Sequence, residues 1–230
     1  MLLRVLSSIA RSTRRVAPKP ERIPLDPLLQ NVLNVGGGDH RIPLPPHYAG
    51  WNQLFLDIDP KAKPDIVLDA RALRELPAGQ FNAVYCSHNL EHYYEHDVSK
   101  VLAGFAHVLK QPDGFVEIRV PDIHAIAQQI VVHERDMGDT LYSSPAGPIR
   151  VVDVLYGLSR ALEQSGEDFY AHKTGFTRSA LRLALIKAGF THAYSLAPIG
   201  VFEIRTVALR AAPGELHRTL FGIDASSEAL

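Results

Sequence analysis

The residues best equipped for chemistry lie in two short runs. Leu33-Asn34-Val35 leads straight into Gly36-Gly37-Gly38, and Leu54-Phe55-Leu56 ends in Asp57-Ile58-Asp59. A glycine turn lets backbone approach a ligand closely, and an acid closing the next strand, about twenty residues on, can hold two adjacent ribose hydroxyls. Together they read as a cradle for a nucleoside-bearing cofactor. The third glycine of a dinucleotide fingerprint is missing after Asp39-His40. No helix-opening phosphate cradle is therefore encoded, which argues against NAD and for a cofactor without a pyrophosphate.

A second group is His88-Asn89-Leu90-Glu91-His92, with His96 beyond it. This is the H-x-x-E-H spacing of inverted zinc peptidases. On a helix His88 and His92 would share a face, but zinc would need a further ligand and a helix through the motif. The motif instead opens directly out of the apolar run Ala83–Cys86, so the expectation is no metal. His88 or His92 then reads as a general base that takes a proton from an acceptor hydroxyl. Cys86, the only cysteine, reads as core. Tyr48 and Trp51 read equally as packing or as a wall of the cofactor site.

These residues need elements to position them. Short apolar runs at 32–35, 53–56, 66–68, 83–86 and 115–120 predict five strands. Val98, Val101, Leu102, Phe105, Val108 and Leu109 recur at helical spacing, with Asp97 as the expected cap and Pro112-Asp113-Gly114 as the closing turn. Thr177 is the expected N-cap of a second clear helix, striped by Leu181, Ala184, Leu185 and Ala188 and ended by Gly189. Residues 190–196 and 201–209 read as a terminal antiparallel pair. Strands alternating with helices predict an α/β fold, a mostly parallel sheet covered on both faces.

Between them, residues 124–173 are too long for a connection and too apolar for a linker. They read as a cap over the active-site edge: a helix near Ile126–Val131, a loop at 143–148 and a helix over 151–162. The domain organisation expected is a basic arm over 1–24, one domain over 25–212 with this insertion, and a frayed tail over 213–230.

Composition sets further bounds. The chain has 230 residues, 46% hydrophobic and 21% charged, ordinary for a soluble domain, with a formal net charge of −1. No global basic field exists to attract nucleic acid. A single cysteine fits a reducing compartment and a cytoplasmic location. Arg4, Arg11, Arg14, Arg15 and Lys19 precede the first acid, Glu21. That arm reads as a frayed segment, a transit peptide or an interfacial anchor giving peripheral membrane contact.

The ordered set Leu33-Asn34-Val35-Gly36-Gly37-Gly38, Leu56-Asp57-Ile58-Asp59-Pro60, Asp65-Ile66-Val67-Leu68-Asp69-Ala70, Phe81-Asn82-Ala83-Val84-Tyr85-Cys86-Ser87-His88-Asn89-Leu90-Glu91-His92, Val120-Pro121-Asp122 and His172-Lys173-Thr174-Gly175-Phe176 resembles class I S-adenosylmethionine-dependent methyltransferases. The resemblance is nearest to small bacterial proteins of that kind associated with glycan or cell-surface biosynthesis. It implies a three-layer, Rossmann-like seven-stranded sheet, S-adenosyl-L-methionine as cofactor, and a small-molecule or glycan-type acceptor methylated by in-line displacement. It assigns cofactor contacts to Asn34, Val35, Gly36, Gly37, Gly38, Asp57, Ile58, Asp69, Ala70 and Ser87. Asn34 stands where the family often has an acid facing the cofactor's ammonium. Asp69 and the Ala70 amide would read the adenine edge. Ser87 and His88 would lie near the transferable methyl, and Tyr170 and His172 near the acceptor. The same resemblance implies that His92 positions the following helix and the cofactor edge. Two other functions remain open: a non-catalytic binding module of the same fold, and a nicotinamide-dependent oxidoreductase.

Overall fold

The computed structural model describes residues 23–39 and 41–223. The arm up to residue 22, His40 and the end of the tail at 224–230 lie outside the described residues. Five parallel strands form the core: β1 Asn31–Val35, β2 Asn52–Asp57, β3 Ile66–Val67, β4 Ala83–Ser87 and β5 Phe115–Pro121. Two further strands, β8 His192–Leu196 and β9 Glu203–Leu209, pair antiparallel and complete a seven-stranded sheet in the order β3-β2-β1-β4-β5-β9-β8. All five residues of β1 are buried, as expected of a central strand covered on both faces. Val35 pairs with Leu56 on one side and Cys86 on the other, so β1, β2 and β4 finish at a common edge. The chain order reverses between β1 and β4, and open parallel sheets bind ligands outside the strand ends at such a point.

Helix α1, Glu95–Val108, buries Val98, Val101, Leu102, Phe105 and Val108 against the sheet. It approaches the 70–75 turn so closely that a Cβ on Gly104 would stand 2.7 Å from the Leu73 Cβ. The helix starts earlier than the sequence suggested. Tyr94 occupies the cap position, and the Asp97 carboxylate is held by Lys100 at 2.7 Å and Arg71 at 3.0 Å instead of by free helix amides. The Thr177 cap forms as expected, its hydroxyl accepting from the Ala180 amide at 3.3 Å at the head of α5, Arg178–Lys187.

Between β5 and α5 lie α2 Ile123–Val131, the hairpin β6 Thr140–Ser144 and β7 Gly147–Arg150, and α3 Val151–Tyr156 and α4 Ser159–Ser165. Asp122 caps α2 through the His124 and Ala125 amides. Ile126, Ile149, Val151 and Val154 form a small core of their own. The segment read as a loop at 143–148 is this hairpin, with Pro145 and Ala146 at its tip and Gly147 turning at φ +98°. The helix read over 151–162 is two helices, because Gly157 breaks it at φ +98°, where an added Cβ would run into the Tyr170 carbonyl. The beginning of the expected tail is also ordered. Helix α6, Glu215–Phe221, buries His217, whose ring bonds the Asp113 carbonyl at 2.8 Å, and packs Phe221 edge-on to Phe115. Among the described residues no helix is long and apolar enough to cross a membrane.

Candidate functional site

A cavity of about 410 Å³ opens at the strand-end edge around β1, β2 and β4. Gly36, Gly38, Asp57 and Ile58 line it together with Asp69 and Arg71 and with His88, Asn89, His92 and Tyr93. Asp168, Phe169, Tyr170 and Lys173 reach in from the insertion.

Gly36 and Gly38 both turn at φ +69°, a conformation that disfavours any side chain. A Cβ on Gly36 would also overlap the Asn89 amide, and one on Gly37 the Asn34 amide. The glycines therefore let two amide side chains pack directly on the loop. The Oδ1 atoms of Asn34 and Asn89 are buried there without a hydrogen-bond partner. Buried polar atoms are almost always satisfied, so two orphaned acceptors flanking one loop mark where a donor belongs.

Asp57 ends β2 with its carboxylate accepting from the Asp59 amide at 2.8 Å. Burial raises its carboxyl above the usual range, against the backbone amides of Asp59, Gly38 and Ile58, which favour the anion. Such a desolvated carboxylate gains from ligand hydroxyls that restore its lost hydrogen bonds. Tyr170 comes to this side of the cavity. Burial, then the Asp59 and Asp57 carboxylates, raise its phenol. Asp69 caps the 70–75 turn through the Arg71 amide at 3.0 Å and is gripped by the Arg71 guanidinium at 2.6 Å. Val35 and Ala70 are fully buried and can offer only backbone. Ser87 ends β4 opposite Arg119.

His88 follows Ser87 at φ +49°, a left-handed conformation that costs a non-glycine residue about 1–2 kcal/mol. Its amide bonds the Arg119 carbonyl at 2.8 Å. Its ring stands 3.4 Å from Glu203 and 3.6 Å from Glu91. Burial lowers the imidazole, but the Glu203 and Glu91 carboxylates outweigh it and push the ring up to about 9, so His88 is a cation at neutral pH. Glu203, in β9, is also bound by Arg119 at 2.7 Å and by the Ile199 amide at 2.6 Å.

The H-x-x-E-H run is not a helix. Only Leu90–His92 turn, as a single 3₁₀ turn, with His88 outside it. The Glu91 carbonyl accepts the Lys173 amide at 2.8 Å and the Thr174 amide at 3.1 Å, which docks the end of the insertion on the turn. His172 is thereby stacked edge-on to His92 at 4.9 Å. It does not line the main cavity. It lines a second cavity of about 140 Å³ with Pro121, Tyr142, Val154, Leu158 and Phe202, and His88 is common to both.

The sequence picked out the glycine loop and Asp57 but passed over Asn89, Arg71, Phe169, Asp168 and Glu203. Asn89 sat inside a quoted motif, and its signal was only its closeness to His88. Glu203, an acid inside the strand expected over 201–209, was a readable signal.

A family described as a methyltransferase domain matches residues 5–196. The chain belongs to that family. It is a class I S-adenosylmethionine-dependent methyltransferase, and its cofactor is S-adenosyl-L-methionine. Three solved structures are similar. A SAM-dependent methyltransferase from Archaeoglobus fulgidus is 14% identical over 79% of this chain and 86% of its own, with a TM-score of 0.47. An O-methyltransferase family protein from Burkholderia thailandensis is 12% identical over 81% of this chain and 52% of its own, with a TM-score of 0.47. The 1,6-didemethyltoxoflavin-N1-methyltransferase from the same organism, with S-adenosylhomocysteine bound, is 17% identical over 79% of this chain and 71% of its own, with a TM-score of 0.43. No curated protein matches the chain. The residues of this methyltransferase fit the cofactor: orphaned amide oxygens suit its ammonium, bare glycine loop its amino-acid chain, and the desolvated Asp57 its ribose hydroxyls.

Proposed function

We propose that this methyltransferase transfers a methyl group to a hydroxyl of a small-molecule or glycan-type acceptor held between the two cavities. The observation that carries the proposal is His88, which faces the cofactor cavity on one side and the second cavity on the other. At about 140 Å³ the second cavity is smaller than a typical ligand pocket, so it suits the reactive end of an acceptor.

S-adenosylmethionine supplies a methyl group on a positively charged sulfur, an electrophile with a neutral thioether as leaving group. The protein's part is alignment, exclusion of water and removal of the acceptor's proton. Asn34 and Asn89 would accept from the ammonium, Gly36 and Gly38 would admit the chain, and Asp57 would hold the ribose hydroxyls. Ile58, the Ala70 amide and Asp69 would border the adenine, and Arg71 fixes the Asp69 carboxylate. Ser87, next to His88 in the chain, would lie beside the reacting centre. Tyr170 and Phe169 cover the ribose side. His88, held protonated by Glu203 and Glu91, would donate a hydrogen bond that orients the acceptor oxygen, and the acceptor's proton would leave to solvent water.

Calorimetry with S-adenosylhomocysteine, followed by detection of that product on a panel of hydroxyl acceptors, tests the reading. Tight binding without turnover on any acceptor would favour a non-catalytic module.

A further inference from the structure

Glu91 is the unexplained residue of the site. It is 1% exposed, and neither carboxylate oxygen accepts a hydrogen bond. Its nearest side-chain partners are His88 Nδ1 at 3.6 Å and His172 Nε2 at 3.9 Å. The His88 cation is shared with Glu203, and a carboxylate this buried normally has hydrogen bonds or a metal beside its ion pair to replace water.

The two histidines around it are oriented in a particular way. His92 Nδ1 lies 3.1 Å from the Ala171 carbonyl, and His172 Nδ1 lies 2.9 Å from the Val154 carbonyl. A carbonyl only accepts, so each Nδ1 carries the proton and each Nε2 keeps its lone pair. Holding the far ring nitrogen on a backbone carbonyl is how metal-ligating histidines are fixed in tautomer and direction. One ligand atom each from Glu91, His92 and His172 lies within 4.8 Å of the others. Bonds to an ion of about 2.0–2.2 Å bring ligands to roughly 3–4 Å apart, so small side-chain rotations close the set.

We propose that Glu91, His92 and His172 bind a divalent transition-metal ion in the wall between the two cavities. Two imidazoles and one carboxylate select zinc-like or iron-like ions over magnesium, which prefers oxygen ligands and keeps its waters. Three protein ligands leave at least one position open, the arrangement of a working site and not of a closed structural one. The sequence motif lacked a further ligand, and the insertion supplies it in His172. His92 borders the cofactor cavity and His172 the acceptor cavity. An acceptor hydroxyl at the open position would be acidified by the ion, its proton leaving to water while the electron pair stays on oxygen. This role rests on the methyltransferase reading above; the ion binding does not.

The test uses the full chain, stripped with chelator and titrated with Co²⁺ by absorbance and with Zn²⁺ against a chromophoric competitor. One equivalent per chain is expected, with a ligand-field spectrum of nitrogen and oxygen coordination. His172→Ala and His92→Ala should each weaken binding at least about 100-fold, a loss of at least the size seen when the support of a metal ligand is removed. His172→Ala, which lies outside the cofactor cavity, should keep S-adenosylhomocysteine affinity within about threefold in the presence of chelator, which separates this proposal from the cofactor reading. Glu91→Gln keeps the side-chain volume and should also lose the ion; if it does not fold, the two histidine variants decide. Absence of a stoichiometric ion overturns the proposal, as does an unchanged Co²⁺ spectrum in the His92→Ala/His172→Ala double variant. Displacement of Co²⁺ by an equal concentration of Mg²⁺ overturns the choice of a transition ion.

Discussion

The Nε2 of His88 stands 3.4 Å from the Glu203 carboxylate, so one imidazole at the mouth of the cofactor cavity is tied to the antiparallel strand β9. The tie links the reacting edge of the parallel sheet to a strand that only the C-terminal part of the chain provides. It also makes stability depend on pH at both partners.

His88 is raised from 6.5 to about 9, and Glu203 is lowered from 4.5 to about 2, burial opposing both shifts and the ion pairing prevailing. A raised histidine stabilises fully below its unfolded value and loses that contribution as pH climbs through about 9. A lowered glutamate stabilises above its unfolded value and loses it as pH falls through about 2. The pair is therefore fully effective between about pH 4.5 and 6.5. Melting curves in chelator should show a decline of Tm from pH 6.5 to 9 that is markedly shallower in His88→Gln. Parallel profiles for the two proteins would contradict the coupling.

Asp57→Ala removes the carboxylate assigned to the ribose hydroxyls. Charge-assisted hydrogen bonds contribute about 1.5–3 kcal/mol, so S-adenosylhomocysteine should bind roughly 10- to 100-fold more weakly, with Asp57→Asn in between. Calorimetry measures this directly. Because burial already disfavours the Asp57 anion, Asp57→Ala should not lower Tm.

Gly36→Ala and Gly79→Ala make a matched comparison. Both glycines have positive φ, +69° and +66°, but an added Cβ meets the Asn89 amide at Gly36 and nothing within 4 Å at Gly79. Gly79→Ala should cost only conformational strain, about 1 kcal/mol. Gly36→Ala should cost more and should also impair cofactor binding, read by thermal shift with and without S-adenosylhomocysteine. Equal effects would remove the argument for close packing under the loop.

Glu117 lies far along β5 from the strand-end edge and is fully buried. It accepts from Tyr48 at 3.0 Å and Arg205 at 2.7 Å, with His47 Nε2 at 2.8 Å. Glu117→Ala strands these partners around an empty site, and breaking a buried pair costs about 3–5 kcal/mol. Denaturant melts should show that loss, while cofactor affinity of the folded fraction stays unchanged. A change in affinity without a change in stability would place Glu117 in the site instead.

The sequence by itself determined the parallel core, the glycine turn and Asp57. Those features are local: continuous apolar runs make buried strands, and a turn that needs bare backbone must be written in glycine. Asp97 misled as a helix cap because its partners, Arg71 and Lys100, were not visible in the spacing. The hairpin at 140–150 was hidden because its strands are short and its turn residues look like any loop. The histidine cluster was decided by tertiary structure alone. Spacing paired His88 with His92 on a helix, whereas the left-handed backbone at His88 and the docking of Lys173 and Thr174 on the Glu91 carbonyl pair His92 with His172. Contacts between distant segments leave no period in the sequence, so which imidazoles surround a buried carboxylate is settled only when the insertion folds back onto the strand ends.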